Sequence, residues 1–376
     1  MLRRALSSLQ DQLERGLATR ALHAFAIGAV PAVMAVLTLT SIVFWQDRYA
    51  AESPVALSLK VVEAERGTTP DRILPRMAQV SAAPFVDTRL STRPFWMLVT
   101  LDAADTRATT VEFPSRHALK VTCWDARDLS APLAWADRGQ SHGAMRPAKS
   151  GFALDFEATH APAALLCEGL YEGPARIRAD RWGSAEFSTS VAAFHRASGL
   201  LEGGTLVLAA FVFLVALVNR EWIYVLFAGW LVANFQLAAI SSGFDWTWLG
   251  QAVPESLILP MRKAGIAFYC LLTIALFSRL FSSDLKLLAE RWMLVPVQWS
   301  GIALLFAAFI APFAIFLPIM WASVAFGVSV IAFLLFRILR TARSPVAMWY
   351  GASLALTLVS FATAGILLRG QQARKH

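Results

Sequence analysis

Charged residues are scarce in this sequence. They make up 16% of its 376 residues, while hydrophobic residues make up 57%; typical soluble proteins have about 25% charged and about 45–50% apolar residues. A soluble fold could not bury that much apolar surface, so a soluble enzyme is excluded. Residues 46–197 hold 18 acidic and 18 basic residues, so the whole net charge of +8 lies beside the hydrophobic runs. That position is typical of membrane orientation rather than nucleic-acid binding.

Catalytic and metal-binding patterns are also lacking. The histidines between residues 46 and 197 do not have the spacing of metal ligands, and the sequence contains no phosphate loop or dinucleotide fingerprint. No Asp or Glu lies in the middle of a hydrophobic run, where ion-coupled transporters usually carry charge. We therefore expect no metal, no cofactor and no catalytic turnover by this chain.

The hydrophobic runs are long enough to cross a membrane, because a bilayer core about 30 Å thick requires roughly 20 apolar residues in a helix. The first run, residues 22–45, is longer than the apolar stretch of a cleaved signal peptide, and it follows a basic segment with leucines at helical spacing. We interpret it as a signal anchor, with residues 1–21 lying along the cytoplasmic membrane face. Six further spans are predicted at residues 200–218, 222–240, 258–277, 293–312, 318–336 and 346–368.

Loop charges predict the orientation. Lys and Arg occur in the loops after the second, fourth and sixth spans and are lacking in loops 241–257 and 313–317. The positive-inside rule then places the N-terminus in the cytoplasm, residues 46–197 on the opposite side of the membrane and residues 198–368 in a transmembrane bundle. The basic tail, residues 369–376, departs from this rule. Either a short basic tail is tolerated outside, or the natural chain continues.

Residues 46–197 show the pattern of a β domain. Val121 and Cys123 alternate with Lys120 and Thr122, and turn-forming stretches separate several such segments. Strands are predicted at residues 95–101, 109–113, 118–124, 151–156, 164–170, 175–179 and 186–192. Short alternating strands with frequent turns favour a sandwich. The predicted fold class is therefore an α-helical membrane protein, one signal anchor plus about six bundle helices, with an inserted all-β extracytoplasmic sandwich.

The sequence has only three cysteines. Cys123 and Cys167 both fall in predicted strands, and in an oxidising compartment they could close a stabilising loop. The alternative is two buried free thiols, since pairing cannot be derived from sequence. Cys270 lies in a predicted span, where we expect it to serve packing alone.

Aromatic and basic residues cluster in the predicted β domain. Flat aromatic faces beside polar groups suit sugars or small anions, and the alternative is a set of core tryptophans. The candidate ligand-binding residues are Arg93, Trp96, Arg116, Trp124, Arg127 and Trp135.

Two further groups of residues lie at the predicted membrane boundary. Gly199, Gly203 and Gly204 open the second span, and small residues at this spacing permit close helix approach. We read them as a packing contact or as a signal joint between the β domain and the bundle. Arg262 and Lys263 lie near a span entrance, where we expect their side chains to reach toward the lipid headgroups.

The bundle resembles a known family. The residues that carry the resemblance are the run Asn219-Arg220-Glu221-Trp222-Ile223-Tyr224, the small glycine loop Ser242-Gly243-Phe244 with Trp248-Leu249, and Phe277-Ser278-Arg279-Leu280-Phe281. Together with an outer β-sandwich, they resemble the seven-transmembrane receptors with diverse intracellular signalling modules. The resemblance covers roughly residues 80–368. This chain departs from the family in having six predicted bundle helices after the outer domain instead of seven.

The resemblance implies a bacterial sensor in the inner membrane, with residues 46–197 in the periplasm. A small-molecule or carbohydrate-like ligand would bind outside, and the bundle would relay its presence to a diguanylate cyclase or histidine kinase. No such output domain is found before His376. The expected partners are this ligand, the lipid bilayer and a second copy in a homodimer, with no nucleic acid. Two alternatives stay open: a small-molecule transporter or channel, and a membrane-embedded enzyme acting on lipid or glycan.

Overall fold

The computed structural model describes residues 54–101, 108–157, 162–243, 255–341 and 346–355. The predicted amphipathic segment, signal anchor and basic tail lie outside the described residues. Residues 54–183 form a β domain, and the helices that follow form a helix bundle.

In the part of the β domain that the structure describes, there are thirteen strands and one short helix. The first part of the chain gives β1 (Val55–Leu57), β2 (Leu59–Glu63), α1 (Pro70–Met77), β3 (Val86–Asp87), β4 (Phe95–Thr100) and β5 (Thr109–Phe113). The middle part gives β6 (Ala118–Asp125), β7 (Ala134–Asp137), β8 (Ser141–His142), β9 (Met145–Ala148) and β10 (Gly151–Phe156). The last part gives β11 (Ala164–Tyr171), β12 (Arg176–Ile177) and β13 (Ala179–Gly183).

Two antiparallel sheets enclose the main core. One has the order β1-β13-β5-β10-β9 and the other β2-β4-β11-β6-β7-β8, while β12 and β3 form a separate ribbon. Inward side chains of both sheets meet in one cluster, which includes Met97, Val111, Val121 and Leu154. This cluster confirms the predicted pairing of two β-sheets. Because α1 covers part of the outer face of the six-stranded sheet, the domain is not purely β.

The last predicted strand, residues 186–192, is wrong. It lies inside α2 (Ser184–Asn219), a single helix of 36 residues that begins directly after β13. Gly183 is extended and precedes the helix, and Glu186 places a negative charge in its first turn, where the helix dipole favours it. Alanines and serines follow, and alanine in particular is a good helix former. The apparent alternation in this segment therefore carried no strand signal.

The helix bundle continues with α3 (Trp222–Ser242), α4 (Glu255–Leu280), α5 (Ser282–Lys286), a 3₁₀ turn (Ala289–Met293), α6 (Leu294–Ile310) and α7 (Phe313–Thr341). Within the described ranges, five helical stretches are long and apolar enough to cross a membrane: Ser184–Asn219, Trp222–Ser242, Leu259–Leu280, Ala289–Ile310 and Phe313–Thr341. They match five of the predicted spans, so the chain is a multi-pass membrane protein. Residues 346–355 of the sixth are helical, and its remainder lies outside the described part.

Candidate functional site

The six candidate ligand-binding residues do not form one site. Trp96 is buried beneath α1, and its ring stacks on Trp124 at a centroid distance of 5.3 Å. Trp135 lies on the same outer face of the six-stranded sheet, with Lys120 5.2 Å from its ring centre and His142 stacked beside it. The tryptophans therefore serve packing and cross-strand pairing.

The three arginines of the set occupy different places. Arg127 lies in the turn after β6, where its amide donates to Asp125. Arg93 is exposed and lies 3.9 Å from Glu63 in an ion pair. Arg116 lies between β5 and β6 and contacts the helix bundle. The structure therefore does not bring the six residues together on one aromatic and basic surface, and two of these arginines lead to other sites.

Arg93 lies beside an open cleft of about 640 Å³, a volume within the usual range for small-molecule sites. The cleft is formed between β2, β4 and the segment around β3, and its lining residues are Val61, Glu63, Phe85, Val86, Asp87, Thr88, Arg89, Ser91 and Phe95. Ser91 donates a hydrogen bond of 2.7 Å to Glu63, and Arg176 pairs with Asp87 at 3.2 Å. Carboxylates and apolar rings thus share one concave surface.

The backbone beside this cleft is strained. Arg89 and Leu90 have φ values of 49° and 65°, a left-handed conformation that residues with a Cβ rarely adopt. The preceding residue holds the segment in place, because the buried Thr88 hydroxyl bonds to the backbone of Gly173 and Ala175. Strain of this kind persists only where the surroundings fix it, and it is enriched at ligand clamps.

The hypothesis of a disulfide between Cys123 and Cys167 is confirmed. The two residues face each other on neighbouring strands β6 and β11, with Cα atoms 4.0 Å apart, and their sulfurs are bonded. Both side chains are fully buried in the main core. Cys270 is a free thiol.

A direct contact joins the β domain to the bundle, and we call it the joint. It comprises residues 115–117 and Ser150 on the β domain and Ser241, Gly243, Arg262, Lys263 and Phe313 on the bundle. Arg116 donates through Nη1 to the Ser241 carbonyl at 2.5 Å, and Arg262 donates to the Arg116 carbonyl at 3.1 Å. These two bonds run in opposite directions across the contact.

Gly243 brings the two parts close together. It ends α3 with a φ of 78°, and a Cβ there would lie 2.7 Å from the Ser150 Cβ and 3.0 Å from the Arg116 Cβ. Only glycine combines this backbone conformation with such a close approach. The loop that carried part of the family resemblance therefore has a structural role at the joint.

The expectation that Arg262 and Lys263 reach the lipid headgroups is wrong. Their exposed fractions are 7% and 5%. Lys263 donates to the Ala311 carbonyl at 2.8 Å, just beyond the end of α6, while Arg262 bonds to the β domain. Helix C-termini attract cations because their last carbonyls lack intrahelical partners. Protein carbonyls thus bind both side chains.

His117 lies at the centre of the joint. Its Nε2 accepts from Arg116 Nε at 3.2 Å, and its Nδ1 is 3.0 Å from the Glu172 carbonyl. Its ring contacts Phe313 of α7 edge-on. Burial lowers the pKa of His117 to about 4, assisted by the positive charges of Arg116, Arg262 and Arg138. The imidazole is therefore neutral near pH 7, which agrees with its accepting a hydrogen bond from a guanidinium.

A second connection lies where α2 leaves the sandwich. The Glu112 carboxylate accepts from Trp182 at 2.7 Å and pairs with Lys149 at 3.2 Å, and the exposed fractions of the paired side chains are 4% and 12%. The Lys149 ammonium also lies over the Trp182 and Phe187 rings at 4.4 and 4.9 Å. Phe187 belongs to α2, so this buried pair fixes the first turns of the helix to the sheet.

The glycines of the predicted signal joint lie inside α2. Among the described residues, nothing lies within 4 Å of a Cβ added at Gly199, Gly203 or Gly204. No close helix contact is therefore seen at these positions in the part of the chain that the structure describes. The connection between β domain and bundle here is the continuous helix itself.

At the opposite end of the bundle, the Phe277–Phe281 pair forms a ring cluster with Tyr350. The centroid distances are 5.1, 5.8 and 5.6 Å. Arg337 pairs with Glu290 at 2.8 Å beside this cluster's helices. The motif from the family resemblance thus packs the end of the bundle that is far from the β domain.

Sequence reasoning missed most of the joint. It placed residues 115–117 in a connection between strands, and no local pattern marks their contact with α3. It also missed the spacing Gly139-Gln140-Ser141-His142-Gly143, which matches the Gly-x-Ser-x-Gly of nucleophile elbows. An elbow requires a strand followed by a helix, whereas this run forms the hairpin of β7 and β8. No family model matches this chain, and no curated protein matches it either.

Proposed function

We propose that this chain is the sensing and relay module of a bacterial inner-membrane receptor. The β domain would bind a small extracytoplasmic ligand, and the helix bundle would transmit the bound state to a cytoplasmic output such as a diguanylate cyclase or histidine kinase. The module itself would carry no catalytic turnover. One observation supports this proposal above all: the β domain is attached to the bundle twice, by the continuous helix α2 and by the joint.

Two attachments allow a change in the β domain to reach the bundle. A domain held by one flexible linker could bind a ligand without any effect on the helices. Here a shift of the sheets relative to the joint would also displace α2, because Lys149 and Glu112 fix its first turns to the sheet. A ligand acts on such a system only through a difference in affinity between two arrangements.

The cleft is the ligand site that we propose. Its two carboxylates and the Ser91 hydroxyl can accept or donate hydrogen bonds to hydroxyl groups, and Phe85 and Phe95 offer apolar rings. This combination suits a small polyhydroxylated molecule such as a monosaccharide or disaccharide. The cleft also adjoins the segment that Thr88 ties to Gly173 and Ala175. Gly173 in turn lies against the His117 ring, so the cleft and the joint share one stretch of backbone.

Binding should depend on Glu63. A panel of mono- and disaccharides is screened by calorimetry against the intact protein in nanodiscs, and Glu63→Gln is expected to weaken binding by about tenfold, since a hydrogen bond to a charged group contributes roughly 1.5–3 kcal/mol. Glu65→Gln is the matched control, because Glu65 is an exposed glutamate two residues further on. Equal affinities for the two variants would exclude the cleft as the binding site.

Relay should depend on the rigidity of α2. Spin labels at Asn219 and Lys286, both exposed at the far end of the bundle, are expected to change their separation when the sugar binds. A four-residue Gly-Ser insertion after His195 should abolish this change while leaving sugar affinity intact, because it breaks the continuous helix. Four alanines inserted at the same point keep a helix and provide the control. If the Gly-Ser variant still transmits the change, α2 is not the path.

A further inference from the structure

The joint contains one titratable group whose two hydrogen bonds define its protonation state. Arg116 has only donors on its guanidinium, so the bond from its Nε to His117 Nε2 requires a lone pair on that nitrogen. The proton of the neutral ring is then on Nδ1, which donates to the Glu172 carbonyl. Both ring nitrogens are satisfied only while the imidazole is neutral.

A second proton on this ring could bind only if the Arg116 side chain moved. It would bind at Nε2, where it would point at the Arg116 N–H and set two cations against each other. Among the described residues, Arg138 and Arg262 add further positive charge around the ring. Lys263 also faces this region from α4, and Glu172 is the carboxylate that interacts with it. Phe313 on α7 contributes an apolar ring.

Arg116 is also the residue that holds the bundle. The same guanidinium that donates to His117 donates through Nη1 to the end of α3 at Ser241. Its carbonyl accepts from Arg262 of α4. A displacement of the Arg116 side chain therefore breaks the bond to α3 directly and disturbs the bond to α4.

We propose that His117 makes the joint sensitive to protons: protonation at Nε2 by the external solution displaces the Arg116 guanidinium and separates the β domain from the ends of α3 and α4. The proton is thus a second input to the module, in addition to the sugar. The relay of this second input to the cytoplasmic side rests on the proposed function. Opening of the joint, however, is measurable without any output domain.

The direction of the pH effect follows from linkage. Because the folded pKa is lowered from 6.5 to about 4, the closed joint binds fewer protons than the open one between these values. Its stability is therefore full above pH 6.5 and decreases as the pH falls toward 4. A periplasmic domain would experience this range in acidic surroundings.

Hydrogen–deuterium exchange of the full chain in nanodiscs tests the proposal. Peptides covering residues 114–118 and 239–243 are compared between pH 7.5 and 4.5 after correction for intrinsic exchange. We expect exchange in both peptides to rise at least tenfold, with a midpoint between pH 4 and 6.5. Strand β10, in the core of the domain, should remain protected, because opening affects the joint and not the fold.

Two variants separate His117 from other acidic groups. His117→Gln keeps a donor and an acceptor but does not titrate, so the rise in exchange should disappear. His142→Gln changes an exposed histidine against Trp135 and should leave the transition unchanged. Should His117→Gln fail to fold, Arg116→Gln is expected to open the joint at pH 7.5. A transition that persists unchanged in His117→Gln, or a joint that stays closed in Arg116→Gln, would overturn the proposal; loss of sugar-dependent relay alone would count only against the proposed function.

Discussion

Lys149→Met is expected to destabilise the β domain by about 3–5 kcal/mol, because it leaves the Glu112 carboxylate buried without its cation. The Glu112 side chain is 4% exposed, and Trp182 alone would remain as a hydrogen-bond donor among the contacts described above. Urea unfolding of the detergent-solubilised full chain, followed by the β-sheet circular dichroism signal, measures the loss.

Arg146→Met is the matched control for this experiment. Arg146 lies in the same sheet and pairs with Asp155 at 2.9 Å, but its side chain and that of Asp155 are 44% and 40% exposed. An exposed pair contributes roughly 0–1 kcal/mol, so this variant should unfold close to the wild type. Adding Glu112→Gln to Lys149→Met removes the unpaired charge and should recover part of the loss. If Lys149→Met and Arg146→Met lower the free energy of unfolding equally, burial of the Lys149–Glu112 pair does not contribute to stability.

Removing the disulfide is expected to have a similar effect. Replacing Cys123 and Cys167 together by alanine should lower the free energy of unfolding by about 3–4 kcal/mol, because the bond closes a loop of 44 residues in the unfolded chain. Both cysteines lie in the main core, so the loss of packing acts in the same direction. The same urea titration measures the change.

Cys270→Ala provides the comparison, since this thiol lies in α4 and forms no disulfide. It should leave unfolding of the β domain unchanged. An unchanged midpoint in the double variant would show that the strands β6 and β11 hold their pairing without the covalent bond.

The strands that could be predicted are those with one apolar face and one polar face. In β6, Val121 and Cys123 face the main core while Lys120 and Thr122 face outward, and this contrast is visible in the sequence. The short strands β7, β8 and β9 have few residues in which to alternate, so no predicted strand covers them. The segment after Gly183 is predicted as a strand, whereas it begins a helix that buries few residues, with Phe187 the first of them.

The membrane helices could be predicted because a run of about 20 apolar residues is long enough to cross the bilayer core. The joint could not be predicted from the sequence. The contact between Arg262 and the Arg116 carbonyl joins residues 146 positions apart, and neither residue differs locally from an arginine that faces lipid headgroups or solvent. The cysteine pair is a partial exception, because both residues fall in predicted strands, although the sequence cannot distinguish a disulfide from two free thiols.

The double attachment of the β domain has a consequence for how strong the joint must be. Since α2 tethers the domain beside its docking partner, closing the joint is an intramolecular event whose effective concentration depends on the length and stiffness of the connection. A contact of a few hydrogen bonds, too weak to hold two separate proteins together, is then sufficient to keep the joint closed. Evolution could tune the resting occupancy of the joint by altering the stiffness or length of α2 alone, without changing any residue of the cleft.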